Sequence, residues 1–359
     1  MPVTSRNFAH TFTRHLVQSV CLILALAGPA GAADRLDPGH ERLQVTAAHR
    51  DGPLMASVWY PAGGKTYRGL VGDNPVFVGN PVNMGAPYPA GKHPLVLLSH
   101  GSGNNIDAMS WLANGLVARG FIVAGVNHPG STSGDSSPRR SLRHWERAKD
   151  VSALLTSLLQ TPELGPLIDT DRISVVGFSL GGVTALALAG AETSQQAFVD
   201  YCAEPAPGKV DCRFYAKGRT DLTGVPQAEF EQSLTNPRIA RSVAVDPAMA
   251  QSYKAGSLRA IRVPVAVISL GAPGEIPIAA DVGASGGRFA ELIPDFRHSY
   301  IAPAHHYSFL ALCKPGAAEL LEAEGEDPIC ADPAGSDRAV VHAEALSRIA
   351  AFLMLPAAK

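Results

Sequence analysis

The pattern of apolar residues divides the chain into short strand-like runs and longer helical stretches. Two strand-like runs, 43–48 and 55–60, flank Asp51-Gly52, a dipeptide that favours a tight turn, and together they predict an opening antiparallel hairpin. Residues 61–93 are rich in Gly, Pro and Asn and show little periodicity, which is typical of a long functional loop. We expect this loop to border a substrate cleft.

From residue 95 onward, strand-like and helical segments alternate. The predicted strands are 95–99, 121–126, 173–176, 242–245, 263–269 and 300–302, and the predicted helices are 109–119, 142–159, 182–189 and 336–353. Such alternation is typical of an α/β fold, in which a mostly parallel sheet carries helices on both faces. Residues 193–237 interrupt the alternation with a polar stretch that contains cysteines and prolines. This stretch predicts a small cap insertion.

The first 32 residues have the pattern of an export signal. Arg6 and Arg14 precede an apolar run, 16–27, that is too short to span a bilayer, and small residues at 30–32 suit a cleavage site. The mature chain is therefore expected to begin near Ala33, to lack a transmembrane segment and to be secreted or periplasmic. An uncleaved anchor is the alternative.

Length and charge narrow the possible classes of protein. Residues 33–359 are long for one domain, yet α/β folds often reach this size undivided, so a single domain is expected. The whole chain has a formal net charge of −2 and no basic block, and removal of the leader takes away two arginines. Nucleic acid is therefore not an expected partner. The oligomeric state stays open.

Four cysteines remain once Cys21 has left with the leader, and they fall into two local pairs. In an exported protein such cysteines are expected to form disulfides, so the sequence predicts Cys202–Cys212 and Cys313–Cys330. Closure of short loops favours local pairing only weakly. Four free thiols are the alternative.

The segment Gly177-Phe178-Ser179-Leu180-Gly181 lies between a predicted strand and a predicted helix. Such a sharp strand-to-helix turn is called a nucleophile elbow. It holds the serine in a strained conformation with its hydroxyl exposed, and the neighbouring glycines leave the serine room. Ser179 is therefore the predicted nucleophile. The alternative is a glycine-rich turn that merely begins a helix.

A serine nucleophile needs a histidine base and an acid that orients the histidine, and on this fold they follow in the order Ser, acid, His. His306 is preferred over His305 as the base, because aromatic residues that begin a helix follow it directly. Asp246 is the preferred acid because it directly follows the strand after the elbow, at the edge where the site is expected. Glu275, after the next strand, is the alternative acid.

Backbone amides are the predicted donors to the oxyanion that forms during acyl transfer. The amide of Leu180 follows directly from the elbow. The second donor is expected in the segment His100-Gly101-Ser102-Gly103, after the strand 95–99, and we assign it to the amide of Ser102.

Together these motifs resemble the group of α/β-hydrolases that joins bacterial dienelactone-hydrolase-like esterases and platelet-activating-factor acetylhydrolases. The resemblance covers about residues 43–353 and is supported by the segments 119–130 and 245–248. In acetylhydrolase-like members the acid resembles Asp246 in its placement. Dienelactone hydrolases proper use a cysteine where this chain has Ser179, so dienelactone chemistry is not implied.

The resemblance implies an α/β-hydrolase fold and a serine hydrolase that cleaves carboxylic esters, often with short acyl chains, through an acyl-enzyme. A small-molecule or lipid-like ester is the implied substrate, without metal or organic cofactor, and the sequence has no HExxH, CxxC or Walker motif. The alternatives are an amidase or prolyl-peptidase-like serine hydrolase and a non-catalytic binding protein on this fold. Substrate choice is expected to reside in residues 61–93 and 193–237.

Overall fold

A computed structural model describes residues 1–2, 37–204 and 206–356 of the chain. The described residues between 37 and 356 belong to one compact unit. The predicted leader, residues 1–32, lies outside the described residues apart from its first two positions, and so does its predicted cleavage site.

The described part of the chain contains strands numbered β1 to β12. Their bounds are β1 Gly39–Val45, β2 Leu54–Tyr60, β3 Tyr67–Val71, β4 Asn80–Met84, β5 His93–Ser99, β6 Ile122–Val126, β7 Ser131–Thr132, β8 Asp135–Ser136, β9 Ile168–Phe178, β10 Arg241–Val245, β11 Val265–Leu270 and β12 Phe296–Ile301. All except β7 and β8 belong to one sheet.

Helices α1 to α11 connect or cover these strands. Their bounds are α1 Ser110–Val117, α2 Pro138–Ser141, α3 His144–Gln160, α4 Leu180–Ala189, α5 Gln195–Cys202, α6 Val210–Lys217, α7 Gln227–Phe230, α8 Ala255–Ala260, α9 Phe289–Leu292, α10 Ala317–Glu324 and α11 Arg338–Leu353. Short 3-10 helices occur at Asp107–Met109, Gly165–Leu167, Ile278–Ala280 and His306–Phe309. Among these described helices, none is long and apolar enough to cross a bilayer.

The large sheet has the strand order β12-β11-β10-β9-β5-β6-β2-β1-β4-β3. The six strands from β12 to β6 run parallel, and β2 then pairs antiparallel with both β6 and β1. Parallel neighbours place their carboxyl ends at one edge of the sheet, where ligands bind in folds of this type. The predicted hairpin and the predicted mostly parallel sheet are confirmed.

Helices cover both faces of the sheet, as the sequence predicts. On one face α1 and α11 pack against the strands in an apolar core, and on the other face α3 and α4 do so. Strands β6 and β10 are buried along their whole length, because their side chains on both faces meet helices. This explains why they appear in the sequence as continuous runs rather than as an alternation.

The prediction that residues 61–93 form a loop without regular structure is wrong. They contain β3 and β4, which pair antiparallel at the far edge of the sheet. Pro81 obscures the strand pattern. It lies in β4 outside the two residues, Asn83 and Met84, that pair with β1, so one side of the strand has no ladder partner at Pro81 and the missing N–H is tolerated. The turn between the two strands reaches the segment after the His306–Phe309 helix, where the Val78 N–H donates to the Leu312 carbonyl at 2.8 Å.

Residues 193–237 lie between α4 and β10 and contain the short helices α5, α6 and α7. Phe198, Tyr215 and Phe230 of these helices pack in an apolar cluster that also contains Leu180 and Met249. A disulfide joins Cys202 to Cys212 and links α5 to α6, and a second disulfide joins Cys313 to Cys330. The segment is therefore packed directly on the first residue of α4.

Several histidine side chains are buried in the folded chain, and burial lowers their pKa values. The pKa falls to about 4 for His40, His128 and His342 and to about 3 for His144. Because an unfolded histidine titrates near pH 6.5, the unfolded chain binds more protons than the folded chain between about pH 4 and pH 6.5. Stability must therefore fall as the pH falls through this window.

We predict that the free energy of unfolding changes by less than about 1 kcal/mol between pH 8 and pH 7 and decreases much more steeply below pH 6.5. Each buried histidine contributes a slope of up to about 1.4 kcal/mol per pH unit well below its unfolded pKa. Urea unfolding at pH 8, 7, 6 and 5 measures this change. A midpoint that does not move between pH 7 and pH 5 would contradict it.

Candidate active site

Three of the residues predicted for catalysis meet at the carboxyl edge of the parallel strands. Ser179 follows β9, Asp246 follows β10, and His306 begins the short helix after β12. The His306 Nε2 atom lies 3.0 Å from the Ser179 Oγ atom, and its Nδ1 atom lies 3.1 Å from Asp246 Oδ2. A continuous series of hydrogen bonds therefore joins the hydroxyl, the imidazole and the carboxylate.

The backbone at Ser179 has a conformation that side chains rarely adopt, with φ of 56° and ψ of −118°. The neighbouring glycines make this turn possible. A Cβ atom on Gly177 would stand 1.8 Å from the Gly181 carbonyl oxygen, and one on Gly181 would stand 1.9 Å from the Ser99 carbonyl oxygen. The Ser179 N–H donates to the Val245 carbonyl at 3.0 Å, which ties the turn to β10.

Asp246 is held firmly at the end of β10. Its side chain is 1% exposed, whereas that of His306 is 33% exposed. The second carboxylate oxygen, Oδ1, accepts the Leu270 N–H at 2.8 Å, and the backbone φ is 41°. One oxygen is thus fixed by the sheet while the other faces the imidazole, which sets the orientation of the ring.

The alternative acid and the alternative base have other partners. Glu275 Oε2 accepts the Ala272 N–H at 3.1 Å within its own exposed turn. The His305 Nε2–H donates to the Ala331 carbonyl, and His305 Nδ1 lies 3.3 Å from the Ser308 hydroxyl. Neither residue takes part in the hydrogen bonds that connect Ser179 with Asp246.

The two amides predicted to bind an oxyanion border the serine. An added Cβ on Gly101 would lie 3.3 Å from Ser179 Cβ, so the segment that follows β5 passes directly beside the serine. The N–H groups of Ser102 and Leu180 have no acceptor among the described residues. The Ser102 hydroxyl lies 2.9 Å from the Ser141 hydroxyl of α2, which anchors this segment.

Phe178 is a neighbour of the histidine that sequence reasoning left without a role. Its ring centroid lies 4.7 Å from that of His306, at an interplanar angle of 32°, and 4.9 Å from that of Phe309. Phe178 is itself 4% exposed. The residue before the serine therefore packs as an apolar surface against the imidazole. The sequence signal for this role was the position of Phe178 inside the elbow pentapeptide.

Sequence reasoning also missed a buried polar network behind the site. Asp150 of α3 accepts hydrogen bonds from His128 at 2.9 Å and from two nitrogens of Arg50, and it lies 2.7 Å from His49 Nε2. Burial alone would raise the pKa of Asp150, but these hydrogen bonds hold it well below its ordinary value. The signal in the sequence was a pair of charged residues, Arg147 and Asp150, on the apolar face of α3.

No group of three or more His, Cys, Asp or Glu side chains in the described ranges is arranged to hold a metal ion.

The sequence matches a known family over most of its length. The description "Alpha/beta hydrolase family" applies to residues 95–357. Because this match spans well over half of the chain, the chain belongs to the alpha/beta hydrolase family. The predicted fold and the predicted resemblance to hydrolases of this family are thereby confirmed.

Individual relatives are more distant. A platelet-activating factor acetylhydrolase of Canis lupus familiaris is 28% identical over 154 residues, which cover 30% of this chain and 35% of that protein. The chain thus matches about a third of that relative's length. A ferulic acid esterase from Streptomyces cinnamoneus has a TM-score of 0.58 at 18% identity, covering 90% of this chain and 91% of that chain. A dienelactone hydrolase from Anabaena variabilis has a TM-score of 0.40 at 13% identity, covering 80% and 95% of the two chains.

The elbow geometry predicts that Gly177→Ala is strongly destabilising. The added methyl group would overlap the Gly181 carbonyl, and relief of such overpacking costs about 3 kcal/mol. Gly256→Ala is the matched control, because an added Cβ on this residue of α8 meets nothing within 4 Å. Urea unfolding should show a large loss of stability for the first variant and none for the second. Equal stability of the two variants would contradict the steric role of Gly177.

Proposed function

We propose that the chain is an exported serine esterase that cleaves carboxylic esters with short acyl chains through an acyl-enzyme intermediate. The observation that carries this proposal is the hydrogen-bonded series of Ser179, His306 and Asp246, whose distances are 3.0 Å and 3.1 Å. Two amides without an acceptor among the described residues border the same serine. This combination suits acyl transfer, because it supplies a nucleophile, a base and an oxyanion site together.

In the first half of the proposed reaction, Ser179 Oγ attacks the ester carbonyl carbon while His306 Nε2 takes the hydroxyl proton. The Asp246 carboxylate, which faces Nδ1, stabilises the imidazolium that results. As the tetrahedral intermediate collapses, the ester C–O bond breaks and His306 returns the proton to the leaving alcohol.

In the second half, water takes the place of the alcohol. His306 Nε2 removes a proton from the water, the hydroxide attacks the acyl carbon, and the proton returns to Ser179 Oγ as the acid departs. In both halves the negative charge on the carbonyl oxygen would be met by the N–H groups of Leu180 and Ser102. The residues supply every proton transfer that the reaction needs.

The name of one relative supports esters as the substrate class. The Canis lupus familiaris relative is called an acetylhydrolase, a name that describes removal of a short acyl group. We therefore propose that the substrates are esters with short acyl chains.

We also propose that residues 193–237 form a wall of the substrate site, because helices of this segment pack on Leu180, the residue after the serine.

Export is supported by the cysteines. Both disulfides lie in the folded unit, and such bonds persist in oxidising compartments outside the cytoplasm. Together with the signal pattern of residues 1–32, they support a secreted or periplasmic enzyme.

We predict that the wild-type protein hydrolyses p-nitrophenyl acetate and that Ser179→Ala reduces kcat by roughly 10⁴-fold or more, because the nucleophile is lost. The matched amide p-nitroacetanilide should react far more slowly. Equal ester hydrolysis by wild type and Ser179→Ala would end the esterase proposal at this site. Faster cleavage of the amide than of the ester would favour an amidase instead.

The choice of acid has its own test. Asp246→Asn should reduce kcat by about 10³- to 10⁴-fold, because an amide NH₂ facing Nδ1 favours the wrong imidazole tautomer. Glu275→Gln is the control and should change kcat less than about 2-fold, because Glu275 contacts only its own turn. A collapse of kcat in Glu275→Gln alone would reverse the assignment.

A further inference from the structure

Arg147 is a buried cation directly behind the proposed active site. We propose that it is a positioning residue. It fixes the oxyanion segment, His100-Gly101-Ser102-Gly103, relative to α4, the helix that directly follows Ser179. The inference rests on the proposed function, since it assigns Arg147 a part in binding the oxyanion. Arg147 itself touches neither substrate nor Ser179.

The guanidinium of Arg147 connects the elements that carry the site. The residue is 2% exposed and lies on α3. Its Nη2 donates to the His100 carbonyl and lies 3.4 Å from Ser99 Oγ at the end of β5. Its Nη1 donates to the Ser131 hydroxyl, and its Nε lies 3.4 Å from Thr184 Oγ1 on α4. One planar group thus contacts both the segment that carries the Ser102 amide and α4, the helix that directly follows Ser179.

These contacts are unusual for a buried arginine. Among the described residues Arg147 forms no ion pair with a carboxylate, and Asp150, one turn further along α3, is bonded instead to Arg50, His49 and His128. A buried charge needs partners for its donors. Here these partners are hydroxyl groups and a backbone carbonyl of the site, so the position of the guanidinium and the position of the site are coupled.

The His100 side chain adds a second constraint, on the peptide that contains the oxyanion amide. Its Nδ1 lies 2.7 Å from the Gly101 carbonyl, and its Nε2 accepts the backbone N–H of His128 at 3.3 Å. A carbonyl only accepts and an amide N–H only donates, so Nδ1 carries the hydrogen and Nε2 does not. Burial holds the pKa of His100 well below its ordinary value, which keeps this neutral form at neutral pH.

The direction of the Ser102 N–H follows from planarity. In a trans peptide the carbonyl and the N–H point in opposite directions, so fixing the Gly101 carbonyl also fixes the Ser102 N–H. Arg147 fixes the preceding carbonyl, that of His100. Two successive peptide planes beside Ser179 are therefore oriented by buried groups before any substrate arrives, which is the preorganisation that oxyanion binding requires.

The test replaces Arg147 with lysine, which keeps the positive charge but offers one donor centre in place of a planar fork. A misplaced oxyanion amide weakens binding of the transition state more than it weakens binding of the substrate. We expect Arg147→Lys to lower kcat for p-nitrophenyl acetate by about 10- to 100-fold, with KM within about 3-fold of the wild-type value.

The second readout is inhibition by a short alkyl trifluoromethyl ketone, which adds to Ser179 and forms an oxyanion at the same place. Its Ki should rise by about 10-fold in Arg147→Lys. A merely structural role would reduce the active fraction, and kcat with it, without changing Ki. A fall in kcat with unchanged Ki, or no change in either, would overturn the positioning role.

Arg241→Lys is the matched control. Arg241 is also buried, at 4% exposure, and donates to the carbonyls of Leu355 and Pro356 at 2.6 Å and 2.7 Å. Its replacement should lower thermal stability and leave kcat and Ki unchanged. An equal rise in Ki in this variant would mean that any buried arginine has the effect, and it would overturn the specific role of Arg147.

Two further arms separate the possible failures. If Arg147→Lys does not fold, Ser131→Ala removes one acceptor of the guanidinium and should still raise Ki by about 3-fold, and an unchanged Ki would then overturn the role. If the wild-type protein hydrolyses no ester, the proposed function fails and this role fails with it. An active wild type with unchanged Ki in the variants overturns the positioning role alone.

Discussion

The close contact of backbone atoms around Ser179 is the constraint on which the rest of the site depends. Gly177 and Gly181 let β9 and α4 approach β5 without side chains between them, and Ser179 takes a positive φ as a result. That conformation places the hydroxyl where His306 can reach it. Parallel pairing of β9 with β10 then brings Asp246 to the same edge, so the sheet rather than the loops determines the spacing.

A network of buried polar side chains lies beneath this edge of the sheet. Arg147 and Asp150 occupy the buried face of α3, and the turn after β1 contributes His49 and Arg50 to the same network. Removing one member of such a network would leave the others buried without partners, which is costly. The opening hairpin is thereby coupled to the end of β5, because Asp150 is bonded to His128 and His128 Nε2 lies 3.0 Å from Ser99 Oγ.

The sequence revealed those parts of the molecule whose signals are contiguous. The elbow is one pentapeptide, and Asp246 directly follows its strand, so strand order was sufficient to place it. Strands β3 and β4 escaped notice because a glycine in β3 and a proline in β4 interrupt their strand pattern at the far end of the sheet. Arg147 was missed because its role depends on contacts with residues from β5, α4 and the segment after β6, which no local pattern contains.

Phe178 has a consequence that goes beyond packing. In the proposed reaction the imidazole of His306 becomes positively charged twice in each cycle, and the face of an aromatic ring attracts a cation. With its centroid 4.7 Å from that of the imidazole, the phenyl ring lies where it contacts this cation as it forms. The residue before the serine therefore does two things at once, because the side chain that fills the turn also meets the charge that forms during the proposed reaction.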